Sequence, residues 1–174
     1  MAGEYVMVDI SELNAFVKKL SGAGQGQFKK ELRVFLEGLA DDFLSLVQDE
    51  IIQRQVVDTR LLLHSFHKGD NNSVYQWSDG GMTIEVGTNL EYASYVNDGH
   101  WTNPKGVKTR WVPGYWEGDT FTYDPDAKTG MLLKQRWVEG THYFDNALLL
   151  MEQMLPNILE EKMQEWLNSY FSGS

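Results

Sequence analysis

Nine apolar residues between Phe28 and Ile51 recur every three or four positions: Phe28, Leu32, Phe35, Leu36, Leu39, Phe43, Leu46, Val47 and Ile51. Helical geometry puts such a series on one face. The spacing predicts a long helix over about residues 27–54, with Lys29, Lys30, Glu31, Glu37, Asp41, Asp42 and Asp49 largely off the stripe. A helix of this kind is held by packing of its stripe more than by intrinsic propensity. The rest of the chain must therefore supply a surface that covers it. A carboxylate at Phe35 or Phe43 would be buried without a partner and is expected to unfold the protein.

A second stripe closes the chain. Phe144, Ala147, Leu148, Met151, Leu155, Ile158, Leu159, Met163, Trp166, Leu167 and Tyr170 predict a last helix to about Phe171, which Pro156 should kink or divide. Between the stripes, residues 74–78 and 82–87 read as two strands joined by Asp79-Gly80-Gly81, a hairpin signal. Met82, Ile84 and Val86 alternate with Thr83 and Glu85, which predicts one buried and one wet face. Residues 8–20 read as a short helix capped by Asp9 or Ser11, and residues 21–26 as a flexible connector. Asp58 or Thr59 can cap a helical turn, and residues 91–98 form a short helix that Gly99 stops in a left-handed conformation. The fold class expected is α+β: a small antiparallel β-sheet packed against long N-terminal and C-terminal helices. The 174 residues suit a single domain.

Residues 99–140 break the pattern. They hold Pro104, Pro113, Pro125 and much of the chain's aromatic content, including most of its six Trp. Trp111-Val112, residues 121–123 and residues 132–138 are strand-like, and Asp124-Pro125-Asp126 marks a turn. The reading is an extended β-hairpin or tongue inserted within the domain. A connection this long is usually functional or disordered, and its aromatic content argues for the former. Either it presents an aromatic surface to partners, or it is a Trp-rich core under a long loop. As a contact surface its candidate residues are Trp101, Trp111, Tyr115, Trp116 and Phe121, since Trp and Tyr are common interface hot spots.

The formal net charge is -10, which repels nucleic acid and anionic membrane. Lys105, Lys108 and Arg110 are the one local basic cluster. No specific nucleic acid and no membrane partner are expected: no apolar run approaches the roughly 18 residues of a span, and Glu4 and Asp9 do not suit a signal peptide. Cysteine is absent, which excludes disulfides and thiolate sites. His64 and His67 could share a helix face, but Asp70 follows a Gly69 turn and no third metal ligand has clear spacing. Asp98, His100, His142 and Asp145 could in principle act as acid and base, yet no nucleophile elbow accompanies them. Gly22, Gly24 and Gly26 lack the preceding strand and the Lys-Ser/Thr of a phosphate loop. No enzyme, catalytic residue, cofactor or metal is expected.

Three phrases carry a resemblance. Val86-Gly87-Thr88-Asn89 followed by Tyr92-Ala93-Ser94-Tyr95-Val96-Asn97-Asp98-Gly99 resembles the Val-Gly-Thr-Asn…Tyr-Ala-x-Tyr-Val-x-x-Gly signature of the tail-completion or head–tail joining proteins of long-tailed phages. That family has a Thr-Gly-x-Leu-x-x-Ser element after its long helix; here Thr59-Arg60-Leu61-Leu62-Leu63-His64-Ser65 stands there, with Arg60 in place of the glycine. Gly140, Phe144 and Ala147 are similar to the family's lead into its C-terminal helix. The resemblance implies the same α+β fold and a structural role in the virion at the head–tail junction, for a protein made in the host bacterial cytoplasm. Its implied partners are further copies in a ring, typically hexameric, the tail terminator or tail tube protein, and head connector proteins. Acidity suits a part beside a DNA channel. The competing readings are an adaptor or regulatory domain that forms no ring and, behind it, a hydrolase around Asp98, His100 and His142.

Overall fold

The computed structural model describes residues 3–9, 22–56, 60–78 and 80–171. The elements run β1 (Tyr5–Asp9), α1 (Gly22–Gln53), α2 (Leu61–His64), β2 (Ser73–Ser78), β3 (Thr83–Thr88), α3 (Ala93–Asp98), β4 (Gly99–Trp101), β5 (Thr109–Glu117), β6 (Thr120–Tyr123), β7 (Gly130–Lys134), β8 (Trp137–Glu139) and α4 (Tyr143–Phe171). The architecture is α+β, with small antiparallel sheets and a long helix toward each end. The chain divides into two compact units: Met1–Asn97 with His142–Ser174, and Asp98–Thr141. Among the described residues no helix is long and apolar enough to cross a membrane.

In the first unit α1 and α4 lie antiparallel. Phe28, near the start of α1, meets Trp166 edge-on at 4.8 Å and Tyr170 at 5.9 Å near the end of α4. Phe43, further along α1, meets Phe144 at the start of α4 at 5.4 Å. Edge-to-face pairs of this kind add about 0.5–1.5 kcal/mol each beyond the area they bury. The stripe of α1 forms the centre of the core: Phe28, Leu32, Leu36, Leu39, Phe43, Val47 and Ile51 are buried, while Phe35 and Leu46 pack at its margin. Ala40 and Leu44 join them, so the buried face is wider than the nine-residue stripe.

A three-stranded antiparallel sheet, in the order β1-β3-β2, covers part of this helix. Its register sets Tyr5 opposite Gly87 and Trp77 opposite Ile84. Ile84 and Val86 face the core. Thr83, expected on a wet face, is buried too; on the middle strand it stands between Asp9 of β1 and Ser78 of β2. Glu85 remains half-buried.

Several sequence expectations are corrected. Val8 and Asp9 belong to β1 and not to a helix; Tyr5-Val6-Met7-Val8 is a β-forming run that completes the sheet on the free edge of β3. The remainder of the expected 8–20 helix lies outside the described residues. Residues 22–26, expected as a flexible connector, form the first turns of α1. Glycine disfavours helix by about 1 kcal/mol per residue, and the packing of the α1 stripe outweighs that bias. Helix α4 runs undivided through Pro156. Leu167, assigned to the stripe, is exposed. Asp58, Thr59 and Asp79 lie outside the described residues.

Arg60 has φ 58°, in the left-handed region, immediately before α2. A side chain in that conformation costs roughly 1–2 kcal/mol that glycine avoids. The glycine of the resembled pattern therefore has a conformational reason, and this chain carries the strain. Lys68 ties this segment to α1 through an ion pair with Glu37, and stands 3.9 Å from Asp41 and 4.4 Å above the Tyr75 ring. The hydrogen bond and charge of Lys68 hold the Glu37 carboxyl below its ordinary range, and the same bond raises Lys68. Burial pushes the Tyr75 hydroxyl up.

Candidate assembly surface

The recognised phrases are structural. Gly87 has φ +157° where β3 crosses β1; a Cβ there would stand 2.1 Å from Glu4 O, so only glycine fits. Thr88 is fully buried, and its Oγ1 donates to Asn72 O (3.2 Å) and accepts from Leu90 N (3.2 Å). The exposed Asn89 donates its N–H to the same Asn72 O at 2.9 Å. Ala93 is buried, and its carbonyl accepts from Tyr143 OH (3.4 Å). Tyr92 packs at the core margin and Tyr95 is exposed. Phe144 and Ala147 are buried at the start of α4.

Asn97 joins these phrases. Its side chain is buried, its Oδ1 accepts from Phe144 N (3.0 Å), and its carbonyl accepts from His142 N (3.0 Å). The first unit thus closes on itself where the chain departs after Asn97 and returns at His142. Asn97→Ala removes the Oδ1 acceptor and leaves the Phe144 N–H buried without it. An unsatisfied buried group costs about 1–3 kcal/mol, and an unfolding free energy lowered by that amount, read as a lower chemical-denaturation midpoint at unchanged slope, is the expected result. An unchanged midpoint removes Asn97 from this role.

In the second unit Gly99 has φ +85°, as expected of the stop; a Cβ there would stand 2.6 Å from Val138 O. β4 pairs antiparallel with β8, placing Trp101 opposite Trp137 with ring centroids 5.4 Å apart. The larger sheet has the order β6-β5-β7. Pro113 O accepts from Asp124 N (3.3 Å), and Gly114 N donates to Thr129 O (2.9 Å). Successive residues of a strand bond to opposite sides, so β6 and β7 flank opposite edges of β5. The turn between β5 and β6 is Gly118-Asp119, with Gly118 at φ +62°. Buried Asn103 donates from Nδ2 to Leu133 O (3.0 Å) and accepts from Arg110 Nε (3.1 Å), which pins residues 102–108 to the sheet.

The five predicted contact residues do not form one patch. Directly opposed residues share a face and alternate residues change face. Trp111 and Tyr115 lie on one face of β5 together with Leu132, which is opposite Trp111. Trp116 and Phe121 lie on the other face as a cross-strand pair with centroids 5.3 Å apart. Trp101 belongs to the separate β4–β8 ladder. Trp101, Trp111, Tyr115 and Trp116 are exposed and Phe121 is half-buried. Of the large exposed apolar groups in this unit, Val107, Tyr123, Leu132 and Trp137 were not predicted. Adjacent residues of a strand point to opposite faces, so Leu132 and Leu133 could have signalled an apolar group on each face of β7. The segment 132–138, expected as one strand, is divided at Gln135-Arg136 because β7 pairs with β5 and β8 with β4.

Charge is shared unequally. Residues 98–141 hold six Lys or Arg and six Asp or Glu, so the whole formal -10 belongs to the first unit. The polar clusters weighed for chemistry are ordinary surface. His142 Nδ1 meets Asp145 Oδ2 at 3.0 Å with both side chains more than half exposed. The His64 and His67 rings lie 5.4 Å apart, and the Asp70 carboxylate accepts from Asn72 N (2.8 Å) inside its own turn.

Comparison with known proteins decides the family. The family model described as "Bacteriophage HK97-gp10, putative tail-component" matches residues 11–99, half of the chain. The phage-like element PBSX protein XkdI of Bacillus subtilis (strain 168) is 46% identical over 158 residues, covering 91% of this chain and 95% of its own. The chain belongs to this phage tail-component family. A second B. subtilis relative, the uncharacterized protein YqbI, is 47% identical over 165 residues, 93% of this chain and 99% of its own. No solved structure matches. As a phage tail component the chain has a structural, tail-related role in the virion, assembled with other phage structural proteins. Residues 100–141 lie beyond the family match, whereas the YqbI alignment omits only 7% of the chain and so includes most of the second unit.

Proposed function

We propose that this tail component completes the tail at the head–tail junction, where copies of it close into a ring, typically hexameric, between tail terminator or tube and head connector. The observation that carries the reading is the aromatic surface of residues 98–141. Trp101, Trp111, Tyr115, Trp116, Tyr123, Leu132 and Trp137 are each 42–63% exposed. Exposed apolar groups of that density favour burial against protein. Each apolar side chain buried on assembly contributes about 1.5–3 kcal/mol. A ring needs a heterologous interface, in which different patches of one copy meet on the next, and the β6-β5-β7 sheet, with unlike faces and two different outer strands, supplies different patches. The segment 99–140 acts as the insertion that reaches the neighbour, and the first unit as its rigid support.

The test is electron microscopy of particles assembled without the chain. Full heads and separate, unjoined tails are expected; particles completed normally would overturn the proposal.

A further inference from the structure

We infer that the ring is closed by the two outer edges of the β6-β5-β7 sheet, β6 of one copy pairing with β7 of the next. The inference rests on the ring reading above and names the surfaces that meet. Three observations lead to it.

Both outer strands are open. Among the described residues no strand lies beyond β6, and on β7 only the last two residues are engaged from outside the sheet, where Asn103 Nδ2 donates to Leu133 O (3.0 Å) and Thr102 Oγ1 to Lys134 O (3.1 Å). By alternation, Phe121 and Tyr123 on β6 and Gly130 and Leu132 on β7 aim their backbone groups outward. Open edges with apolar side chains seek another strand unless a protein blunts them, and here Tyr123 and Leu132 are 63% and 60% exposed.

The edges carry opposite charge. Asp119 and Asp124 bracket β6, while Lys128 precedes β7 and Lys134 ends it. Among the described residues none of these four is in an ion pair. The spacing also matches. The two aspartates are five residues apart and the two lysines six, so one pairing register sets a lysine near each aspartate. Opposite charges across paired strands contribute about 0.2–1 kcal/mol each, and like charges oppose pairing. Two copies meeting β6 to β6 or β7 to β7 would repel, which selects the unlike edges.

The contact is heterologous by construction. Edge β6 can join only β7, so each added copy leaves the same two edges free until the last meets the first. Rotation about a ring axis preserves strand sense along it, and β6 and β7 both run opposite to β5, so the joined strands are parallel.

The test uses the full chain. Lys128→Glu with Lys134→Glu makes both edges acidic, and Asp119→Lys with Asp124→Lys makes both basic. Each pair should raise the concentration at which rings form about tenfold or more, with an unchanged melt. The fourfold variant exchanges the signs and should form rings again. Because the chain has no cysteine, Tyr123→Cys and Leu133→Cys proteins of different tag length, whose substituted side chains lie on the same face of the sheet, can then be mixed under oxidation. A mixed disulfide dimer is expected. Rings from every charge variant at wild-type concentration, or rings without the mixed disulfide, would overturn the edge pairing and leave the ring reading standing. Wild-type protein that forms no ring at any concentration or in the particle would overturn both.

Discussion

Joining Asp98 to Thr141 through two glycines, in place of residues 99–140, should leave a folded monomer that neither forms rings nor completes particles. None of the buried apolar residues of the core comes from Asp98–Thr141. Asn97 O and His142 N are already 3.0 Å apart, so a short link spans the gap without strain, and a shorter loop lowers the entropy cost of closure. Circular dichroism should show a transition within a few degrees of the full chain. Sedimentation should show one monomer at every concentration. Rings of the same size from the shortened chain would remove the insertion from the interface.

Phe43→Asp should have the largest effect on stability. Phe43 is 2% exposed and meets Phe144 edge-on at 5.4 Å, between the two long helices. Loss of the ring costs about 3–5 kcal/mol. The new carboxylate adds several kcal/mol more, because it must be desolvated or protonated. Domains of this size hold only about 5–15 kcal/mol in total, so no cooperative thermal transition should remain. Phe43→Leu keeps an apolar group and should melt only slightly earlier. A native-like melt of Phe43→Asp would take this face of α1 out of the core.

The two long helices were legible in the sequence because a 3.6-residue period repeats many times and each repeat reinforces the rest. The phrases around Gly87, Ala93 and Phe144 were legible for another reason: each satisfies a local demand, such as the close passage of β3 over Glu4 or the buried carbonyl of Ala93. Strand β1 was missed since five residues carry little periodicity, and its partner β3 is about eighty positions away in the chain. Asn97 was missed for a similar reason. A buried amide that caps a backbone N–H has the same letter in the sequence as a surface one, and its acceptor role depends on α4 arriving 47 residues later.

The five aromatic residues of the insertion show where sequence reasoning stops. Their composition marked a surface, but which of them share a face depends on register. Trp111 and Tyr115 lie with Leu132, and Trp116 with Phe121, because β5 pairs with β7 along one half and β6 along the other. Sequence by itself determined the α+β class, the two helices that make the core, the tail-component resemblance and the acidity. Those follow from local period, local motif and summed charge. Only the tertiary structure decided that the acidity belongs to one unit, that the insertion holds a three-stranded sheet with unlike edges beside the β4–β8 ladder, and that Asn97 closes the unit from which the insertion departs. Each of these depends on which distant residues are brought together, and the local sequence does not encode that pairing.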